Sequence, residues 1–350
     1  MTQATATERL EPLRQWSARQ HGLPAESLSL TLAAGDASFR RYFRLMLPDG
    51  ETRMLMDAPP EQEGDNTRRF VAIAREWRDA GLPVPAMYRA DLETGFVELE
   101  DLGNSPLQQR LEGQDETTRL DGYRRALDLL LNLQRLAPST TLPVYDAPLL
   151  GRELDLFPNW CLDGFLNMAP PPSWPTLRQR LIDDALDQPR VAVHRDFDAM
   201  NLMVGDGTLY LIDFQDAVAG PPVYDLISLL RGRYWRFDAS HYREWIETYR
   251  QQAVQAGLPG ADVDPETFRY RADSMAAQRS LKVLGIFCRL TFRDHKDGYL
   301  ARMPCFLDHL RDSLSPWPEF APFHDWLDAE FTPALQQALS RHGIDSEARP

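Results

Sequence analysis

Residues 191–224 constrain this chain more than any other stretch, and their sequence is VAVHRDFDAMNLMVGDGTLYLIDFQDAVAGPPVY. The apolar run Val191-Ala192-Val193 leads directly into His194-Arg195-Asp196. Asn201 follows Asp196 by five residues, and Asp213, within Ile212-Asp213-Phe214, follows Asn201 by twelve. An isolated HRD or DF is common, but three elements with both spacings on a predicted hairpin indicate one functional unit.

Each of these oxygen-bearing side chains has a chemical reason to be present. The spacing H-R-D-x-x-x-x-N with a downstream D-F describes the working parts of a protein-kinase-like phosphotransferase. Such an enzyme needs a carboxylate near the attacking hydroxyl and a divalent cation on the phosphates. We therefore predict Asp196 as the catalytic base, and Asn201 and Asp213 as oxygen ligands of Mg²⁺.

The register of the hairpin decides whether Asn201 and Asp213 meet. If residues 205–207 all form the turn, Asn201 lies opposite Leu211, and Asp213 lies on the same strand face as Leu211 because side chains alternate. Diagonal neighbours of this kind are about 7–8 Å apart and reach one ion or two adjacent ones. A two-residue turn sends the two side chains to opposite faces, so the metal hypothesis requires the longer turn.

Length and charge limit the class of protein. The 350 residues suffice for two lobes with their own cores. The net charge of −14, from 38 basic and 52 acidic residues, disfavours nucleic acid as a partner, since phosphate binding needs a basic surface. The same charge suits a cationic small substrate, and solubility explains it equally well.

Cysteine usage and the absence of long apolar segments point to a cytoplasmic protein. Cys161, Cys288 and Cys305 are odd in number and far apart, which argues against a disulfide framework. The N-terminal residues lack the apolar stretch of a secretory signal. No apolar run approaches the ~20 residues of a membrane helix, so we expect no membrane association.

Hydrophobic periodicity predicts an α+β, bilobal protein-kinase-like fold. Residues 1–100 form a small β-rich N-lobe with one helix, and residues 101–350 form a larger, mainly helical C-lobe. The predicted strands are 28–32, 39–47, 54–56 and 96–99, a first helix spans 4–20, and a later helix is capped by Asn66 or Thr67. Two Pro-rich segments, 143–148 and 169–175, are predicted as loops.

The cations available in the N-lobe to bind the phosphates of a nucleotide are unusual. Residues 35–38 form a small polar turn, of the kind whose backbone N–H groups approach phosphates. The only lysines are Lys282 and Lys296, so the N-lobe has none to hold the α- and β-phosphates. Alternation places Arg40 and Arg44 on one strand face, and a guanidinium suits phosphate. The alternatives are that both arginines are solvated, or that the kinase fold is degenerate; the intact acidic residues argue against the latter.

A basic stripe marks a later helix. Its members lie within about a quarter-turn of one face, while apolar residues fill the rest. They are Arg279, Lys282, Arg289, Arg293 and Lys296. A mostly apolar helix of this kind is buried around its stripe, so the cations need anionic partners. Those partners are either Asp and Glu side chains or an anionic part of the substrate.

Candidates for acceptor binding lie before the catalytic stretch. Glu153, Asp155 and Trp160 suit a sugar, because carboxylates accept hydrogen bonds from hydroxyls and an indole stacks on a sugar ring. Helix capping and core packing are the alternative roles for these residues. Asp225 either begins a helix or braces the catalytic loop, and we interpret it as structural.

Five segments resemble the aminoglycoside-phosphotransferase/choline-kinase superfamily, and more closely its anomeric N-acetylmuramate/N-acetylglucosamine 1-kinases. The likeness covers about residues 28–310. Its segments are Gly-Asp-Ala-Ser-Phe-Arg-Arg-Tyr at 35–42, Met-Asp-Ala-Pro-Pro at 56–60, Glu-Leu-Asp-Leu-Phe at 153–157, His-Arg-Asp-Phe-Asp-Ala-Met-Asn at 194–201 and Asp-Phe-Gln-Asp-Ala at 213–217.

This resemblance implies ATP, Mg²⁺ and transfer of the γ-phosphate to the C1 hydroxyl of an N-acetylated amino sugar. The α-1-phosphate would feed a sugar-1-phosphate nucleotidyltransferase in peptidoglycan recycling. The implied nucleotide-binding residues are Ser38, Phe39, Arg40, Arg44, Glu98, Glu100 and Leu102. The implied acceptor-binding residues are Glu153, Asp155, Trp160, Asp196, Asp198 and Arg293. The missing N-lobe lysine departs from the family pattern.

Two further hypotheses stay open. An aminoglycoside- or choline-type kinase acts on a cation, which the charge of −14 suits. A nucleotide-binding pseudokinase binds ATP without turnover.

Overall fold

The structure is a computed structural model that describes residues 9–35 and 39–345. Strands and helices both occur in this part of the chain, and the strands concentrate in its N-terminal third. The strands are β1 (Ser29–Gly35), β2 (Arg41–Met46), β3 (Thr52–Asp57), β4 (Met87–Asp91), β5 (Phe96–Glu100), β6 (Val191–Val193), β7 (Leu202–Gly205), β8 (Thr208–Leu211) and β9 (Val218–Gly220).

Helices form most of the remaining described chain. They are α1 (Leu10–His21), α2 (Pro60–Asp79), α3 (Leu107–Leu111), α4 (Glu116–Leu136), α5 (Ala147–Leu154), α6 (Trp174–Leu186), α7 (Val223–Leu230), α8 (Ala239–Gln255), α9 (Pro265–Phe292), α10 (Met303–Leu314), α11 (Ala321–Trp326) and α12 (Thr332–Arg341). Two π-helical stretches, Phe157–Leu166 and Leu327–Phe331, interrupt this pattern. No helix in the described residues is long and apolar enough to cross a membrane.

The chain divides into two compact units. Unit 1 comprises Met1–Gly122 and Met200–Asp216, and unit 2 comprises Tyr123–Ala199 and Ala217–Pro350. This division differs from the predicted boundary at residue 100. The reason is hydrogen bonding: Leu211 N donates to Pro83 O at 2.8 Å, and Val204 N donates to Ser105 O at 2.9 Å. These bonds join the β7–β8 hairpin to the N-terminal residues.

Unit 1 is built on a five-stranded antiparallel sheet with strand order β1-β2-β3-β5-β4. Helix α1 contributes Leu13 and Trp16 to a core that includes Phe43, Leu55 and Phe96 of the sheet. Helix α2 contributes Phe70, whose ring stacks on Phe214 with centroids 4.9 Å apart. Burying an aromatic ring of this size stabilises the fold by about 2–3 kcal/mol, so the segment after β8 is held firmly against α2.

Unit 2 is organised around α9, which packs against α6, α7, α8, α10 and the π-helix Phe157–Leu166. Gly285 permits a close approach between α9 and the backbone of Leu156, which precedes the π-helix. A Cβ there would lie 2.4 Å from the backbone carbon of Leu156, a separation that real side chains do not adopt. Cys161, Cys288 and Cys305 are buried and form no disulfide bond among the described residues.

Several sequence predictions agree with the structure, and others need correction. Unit 1 is β-rich and unit 2 mainly helical, as predicted. Helix α2 begins at Pro60, so Asn66 and Thr67 lie inside it and the predicted cap was wrong. Proline suits a first helical position because it needs no N–H partner there. Strand β4 was not predicted, and the segment 35–38 lies mostly outside the described residues.

The Pro-rich segments also begin helices. Asp146 accepts a hydrogen bond from Leu149 N at 2.9 Å and so caps α5, which starts inside the predicted loop 143–148. Helix α6 starts at Trp174, inside the predicted loop 169–175. Helix α1 begins at Leu10; the predicted residues 4–8 lie outside the described part of the chain.

Candidate active site

Unit 1 contains a cavity of about 550 Å³. Its walls combine apolar side chains of the sheet with the segment after β5 and the β7–β8 hairpin. Lining residues that matter to its chemistry are Leu99, Glu100, Leu102, Asn201, Asp213 and Phe214. An apolar pocket with a few polar groups along one side suits a flat heterocycle that carries a charged tail.

The hairpin turn is shorter than predicted. Gly205 pairs with Thr208, which leaves Asp206 and Gly207 as a two-residue turn with φ of +46° and +78°. Positive φ at both positions is typical of the type I′ turn that Asp-Gly favours. Leu202, and not Asn201, lies opposite Leu211. The predicted three-residue turn and its register were therefore wrong.

Asn201 and Asp213 nevertheless line the same cavity. Ile212 N donates to Asn201 O at 3.1 Å, so these two residues lie opposite each other. Strand β8 ends at Leu211, and Asp213 has a left-handed φ of +64°. Side chains alternate between faces only in extended backbone. The rule therefore does not apply at Asp213, and its side chain lines the same cavity as Asn201 although the turn has two residues.

Arg40 lies beside Asp213 and Glu63. Its side chain is 6% exposed, with Nη2 3.5 Å from Asp213 Oδ1 and Nε 3.7 Å from Glu63 Oε2. Glu63, on the first turns of α2, also accepts a hydrogen bond from Phe39 N at 3.3 Å. A buried guanidinium thus bridges a helix carboxylate and a cavity-lining carboxylate. Sequence analysis missed Glu63, although acidic residues commonly begin helices.

Arg44 is committed elsewhere in unit 1. Its Nη2 donates to Asp101 Oδ1 at 2.9 Å and to Asn104 Oδ1 at 2.8 Å, while Nε binds the second oxygen of Asp101. This bidentate pair raises the pKa of Arg44 through the Asp101 carboxylate. The two arginines predicted together therefore occupy different environments, and Arg40 is the one in contact with Asp213.

Only some of the other predicted nucleotide-binding residues line the cavity. Glu100 and Leu102 line the cavity. Glu98 has no exposed surface and instead pairs with His21 and Arg89, each at 3.0 Å, so its side chain is not part of the cavity wall. Phe39 is 63% exposed. Ser38 lies outside the described residues.

In unit 2, Asp225 holds the segment that leads into Asp196, the predicted base. The Asp225 carboxylate accepts hydrogen bonds from His194 N at 2.6 Å and Arg195 N at 3.0 Å. Asp225 lies in the first turn of α7 and is fully buried, and burial raises its pKa to about 6. Both roles weighed for this residue, helix start and brace, are therefore present.

Asp196 lies among cations. Burial alone would raise its pKa, but Lys282, Arg279 and Arg195 together hold the pKa below the ordinary value. A carboxylate in this setting stays ionised at neutral pH. It can therefore accept a hydrogen bond from a hydroxyl, which a protonated group would not do as well.

Glu153 is the centre of a buried polar network. Its carboxylate contacts Lys282 Nζ at 2.9 Å and pairs with Arg195 and the Tyr145 hydroxyl. Burial opposes ionisation, but Lys282 and Arg195 lower the pKa of Glu153 to about 2. Gln278 completes the network by donating to Tyr145 Oη at 3.2 Å. This carboxylate holds the cations around Asp196, a role that sequence analysis did not identify.

The remaining predicted acceptor-binding residues are spread over unit 2. Asp155 forms a bidentate pair with Arg178 at 2.7 and 2.9 Å. Trp160 is half-buried on the π-helix Phe157–Leu166. Asp198 is buried and pairs with Arg233 at 2.7 Å. Arg293 is 54% exposed beyond the end of α9, where it pairs with Asp294.

The arrangement defines a class of protein. An apolar cavity with an amide and a carboxylate, together with a braced HRD carboxylate, is the equipment of a kinase-like phosphotransferase. Sequence comparison agrees: the family described as "Phosphotransferase enzyme family" matches residues 29–272. The chain belongs to this family and is an ATP-dependent kinase.

Two bacterial relatives are similar over most of their length. An N-acetylmuramate/N-acetylglucosamine kinase from Pseudomonas putida is 41% identical over 298 residues, covering 84% of this chain and 86% of the relative. A protein of the same name from Neisseria meningitidis serogroup B is 37% identical, covering 89% and 93%. The predicted family resemblance is confirmed.

Solved structures share the fold at low sequence identity. A choline/ethanolamine kinase family protein from Mesorhizobium loti has a TM-score of 0.60 at 18% identity, covering 90% of this chain and 98% of that one. An ADP-bound aminoglycoside phosphotransferase has a TM-score of 0.57 at 13% identity, covering 85% and 96%. The predicted kinase-like α+β fold is confirmed.

Proposed function

We propose that this kinase phosphorylates the anomeric C1 hydroxyl of N-acetylmuramate, N-acetylglucosamine or both, giving the α-1-phosphate. The observation that carries the sugar assignment is the 41% identity to a relative named for these two acceptors. The chemistry is supported by the intact catalytic set, with Asp196 on its braced segment and Asn201 and Asp213 at one cavity.

Asp196 acts as the base in this proposal. It is ionised at neutral pH because surrounding cations lower its pKa, so it accepts the proton of the C1 hydroxyl as the phosphoryl group is transferred. A hemiacetal hydroxyl is more acidic than an ordinary alcohol. A weakly basic carboxylate is therefore sufficient, and positioning of the hydroxyl contributes more than proton affinity.

Asn201 and Asp213 would hold Mg²⁺. Their donor atoms are an amide oxygen and a carboxylate oxygen, which suit a hard cation that keeps water and phosphate oxygens as its other ligands. The bound ion would neutralise charge on the phosphates. Gln215 Nε2 donates to Asp213 Oδ1 at 2.9 Å and so helps orient this carboxylate.

The ATP site would use the rest of the cavity. Leu99 and Phe214 supply apolar walls for the adenine ring, and the segment from Glu100 to Leu102 supplies its polar edge. Arg40 takes the place of the absent lysine as the phosphate cation, since it contacts Asp213 whereas Arg44 is committed to Asp101. A planar guanidinium binds phosphate oxygens in pairs.

The acceptor would be bound in unit 2. Trp160 is the proposed stacking surface for the sugar ring, and Asp155, Asp198 and Arg293 stay proposed contacts at its periphery. Glu153 would act indirectly, because its carboxylate already binds Arg195 and Lys282. In this arrangement Glu153 positions cations and does not itself accept from sugar hydroxyls.

A panel assay tests the proposal. The protein is incubated with ATP, Mg²⁺ and N-acetylmuramate, N-acetylglucosamine, choline or an aminoglycoside, and products are identified by phosphorus NMR. We expect an anomeric phosphate on an N-acetylated amino sugar. Phosphate on choline or the aminoglycoside would replace the proposal with a cation kinase. Nucleotide binding without turnover would indicate a pseudokinase, and Asp196→Asn supplies the inactive reference.

The reaction implies a consumer of its product. A sugar α-1-phosphate is the substrate class of sugar-1-phosphate nucleotidyltransferases, so we propose such an enzyme as the next step, within cytoplasmic peptidoglycan recycling. Adding a nucleotidyltransferase and UTP to the assay tests this step, because conversion to a UDP-sugar requires the phosphate to be at C1.

A further inference from the structure

Arg279 is a buried cation with an unsatisfied nitrogen. The residue is 7% exposed on α9, and its Nη1 is buried with no hydrogen-bond partner among the described residues. Leaving a buried charged donor unpaired is costly. A buried donor of this kind calls for a partner, and a bound ligand, an ion or an ordered water can supply it.

Two other cations of the predicted basic stripe have carboxylate partners. Lys282 pairs with Glu153 at 2.9 Å, and Arg293 is exposed and pairs with Asp294 at 2.7 Å. Arg289 is half-buried at the other end of the stripe, and its Nε is also buried without a hydrogen-bond partner among the described residues. Lys282 and Arg293 thus have hydrogen-bonded or ion-paired carboxylates, whereas Arg279, whose charge acts on Asp196, keeps a buried Nη1 without a hydrogen-bond partner among the described residues.

Arg279 also lies near Asp196, the proposed base. It neighbours Gln278, which donates to Tyr145, and it precedes Lys282 by one helical turn. Its charge is one of those that lower the pKa of Asp196. A group bound by Arg279 therefore lies in the neighbourhood of the proposed base.

We infer that Arg279 binds a carboxylate on the acceptor sugar and so selects N-acetylmuramate, whose lactyl group carries one, over N-acetylglucosamine, which has none. This inference rests on the proposed function. The phosphates of ATP are the other available anion, but the proposed nucleotide cavity is lined by unit 1 residues and has its own cation in Arg40.

Three acceptors separate these possibilities. They are N-acetylmuramate, its lactyl amide and N-acetylglucosamine, tested with the wild-type protein and with Arg279→Met. We expect the variant to lose about 10- to 100-fold more kcat/KM with N-acetylmuramate than with the other two, as for a lost charge-assisted hydrogen bond. Arg279→Lys should restore part of the loss, because it keeps the charge. Arg289→Met, on the same helix, should leave the ratio between acceptors unchanged.

Equal losses with all three acceptors would overturn the inference and assign Arg279 to the transferred phosphoryl group or to the fold. If Arg279→Met does not fold, the test uses Arg279→Lys, and the deciding quantity is the ratio of kcat/KM with N-acetylmuramate to kcat/KM with its lactyl amide. If the wild-type protein phosphorylates neither sugar, the proposed function fails separately. Calorimetric titration of the same three compounds then decides: tighter binding of the acid that Arg279→Met removes supports the inference, and no such preference overturns it.

Discussion

Asp225 holds Arg195 in a left-handed backbone conformation. Arg195 has a φ of +75°, and its N–H donates to Asp225 Oδ1 at 3.0 Å while His194 N donates to the second oxygen. A non-glycine residue in this region costs about 1 kcal/mol or more, so the surrounding structure must enforce it. The brace therefore sets the direction in which the chain presents Asp196.

Removing the brace should impair catalysis and stability together. In Asp225→Ala two buried N–H groups lose their acceptor, at a cost of about 1–3 kcal/mol each. We expect kcat to fall more than KM rises, because the proposed base, Asp196, is misplaced while the binding surfaces remain. Asp225→Asn keeps one acceptor oxygen and should be milder. Steady-state kinetics and urea unfolding measure both effects, with exposed Asp262→Ala as the control; unchanged kcat would show that the brace does not matter.

Asp196→Asn should lower turnover by about 10²–10⁴, the usual contribution of a positioned base. The amide keeps the shape of the side chain and removes only its basicity, so the unfolding transition should be retained. Single-turnover kinetics under saturating ATP measures the transfer step directly. Near-wild-type rates would remove Asp196 from the role of base.

Asp213→Asn should abolish Mg²⁺-dependent ATP binding. Asparagine tolerates the left-handed conformation at this position, so the change removes charge without adding backbone strain. Titration of ATP with and without Mg²⁺ by calorimetry gives the affinities. Asp206→Asn, at the exposed tip of the same hairpin, should behave as wild type. An unaltered metal dependence in Asp213→Asn would place the ion elsewhere.

Arg40 and Arg44 should differ in their effect on ATP. Arg40→Met should raise the KM for ATP by about 10-fold or more, as expected for loss of a charge-assisted phosphate contact. Arg44→Met should affect folding through Asp101 more than nucleotide binding. ATP titrations and thermal unfolding of both variants distinguish these outcomes. Similar KM values in the two variants would contradict the assignment of Arg40.

Glu153 should make stability depend on pH in the acid range. Its folded pKa of about 2 lies below the ordinary value of 4.5, so its contribution is complete above pH 4.5 and is lost as pH falls toward 2. The difference corresponds to about 3 kcal/mol. Unfolding free energies between pH 6 and 3 should therefore fall less in Glu153→Gln than in the wild-type protein. The exposed Glu116→Gln should follow the wild-type slope, and parallel curves for Glu153→Gln would refute the prediction.

The sequence predicted the motif residues of the site but not the geometry that joins them. The prediction assumed that side chains alternate along a regular strand as far as Asp213, whereas β8 ends at Leu211. The Asp206-Gly207 pair is the typical signal of a two-residue turn and would have given the correct register. The left-handed φ of Asp213 was not predicted, and the next residue, Phe214, packs against Phe70 of α2, a contact that no local sequence pattern specifies.

Long-range pairing accounts for the other differences. No local pattern distinguishes Arg40 from Arg44, since their roles depend on Glu63 and Asp101, which are 23 and 57 residues away in sequence. The same holds for Glu153, whose partners Arg195 and Lys282 come from distant elements. Sequence patterns describe which chemistry is present, whereas partner choice is a property of the folded chain.

Because Gly285 lies against Leu156, a substitution at Gly285 should alter which acceptor sugar is bound, even though the glycine is not among the proposed acceptor-binding residues. Any larger residue at position 285 must push the start of the Phe157–Leu166 segment away from α9, and that segment carries Trp160. Variant libraries aimed at new sugars should therefore include this glycine, although it lines no pocket described above. A single methyl group there would shift the segment that carries Trp160, the proposed stacking surface for the acceptor sugar.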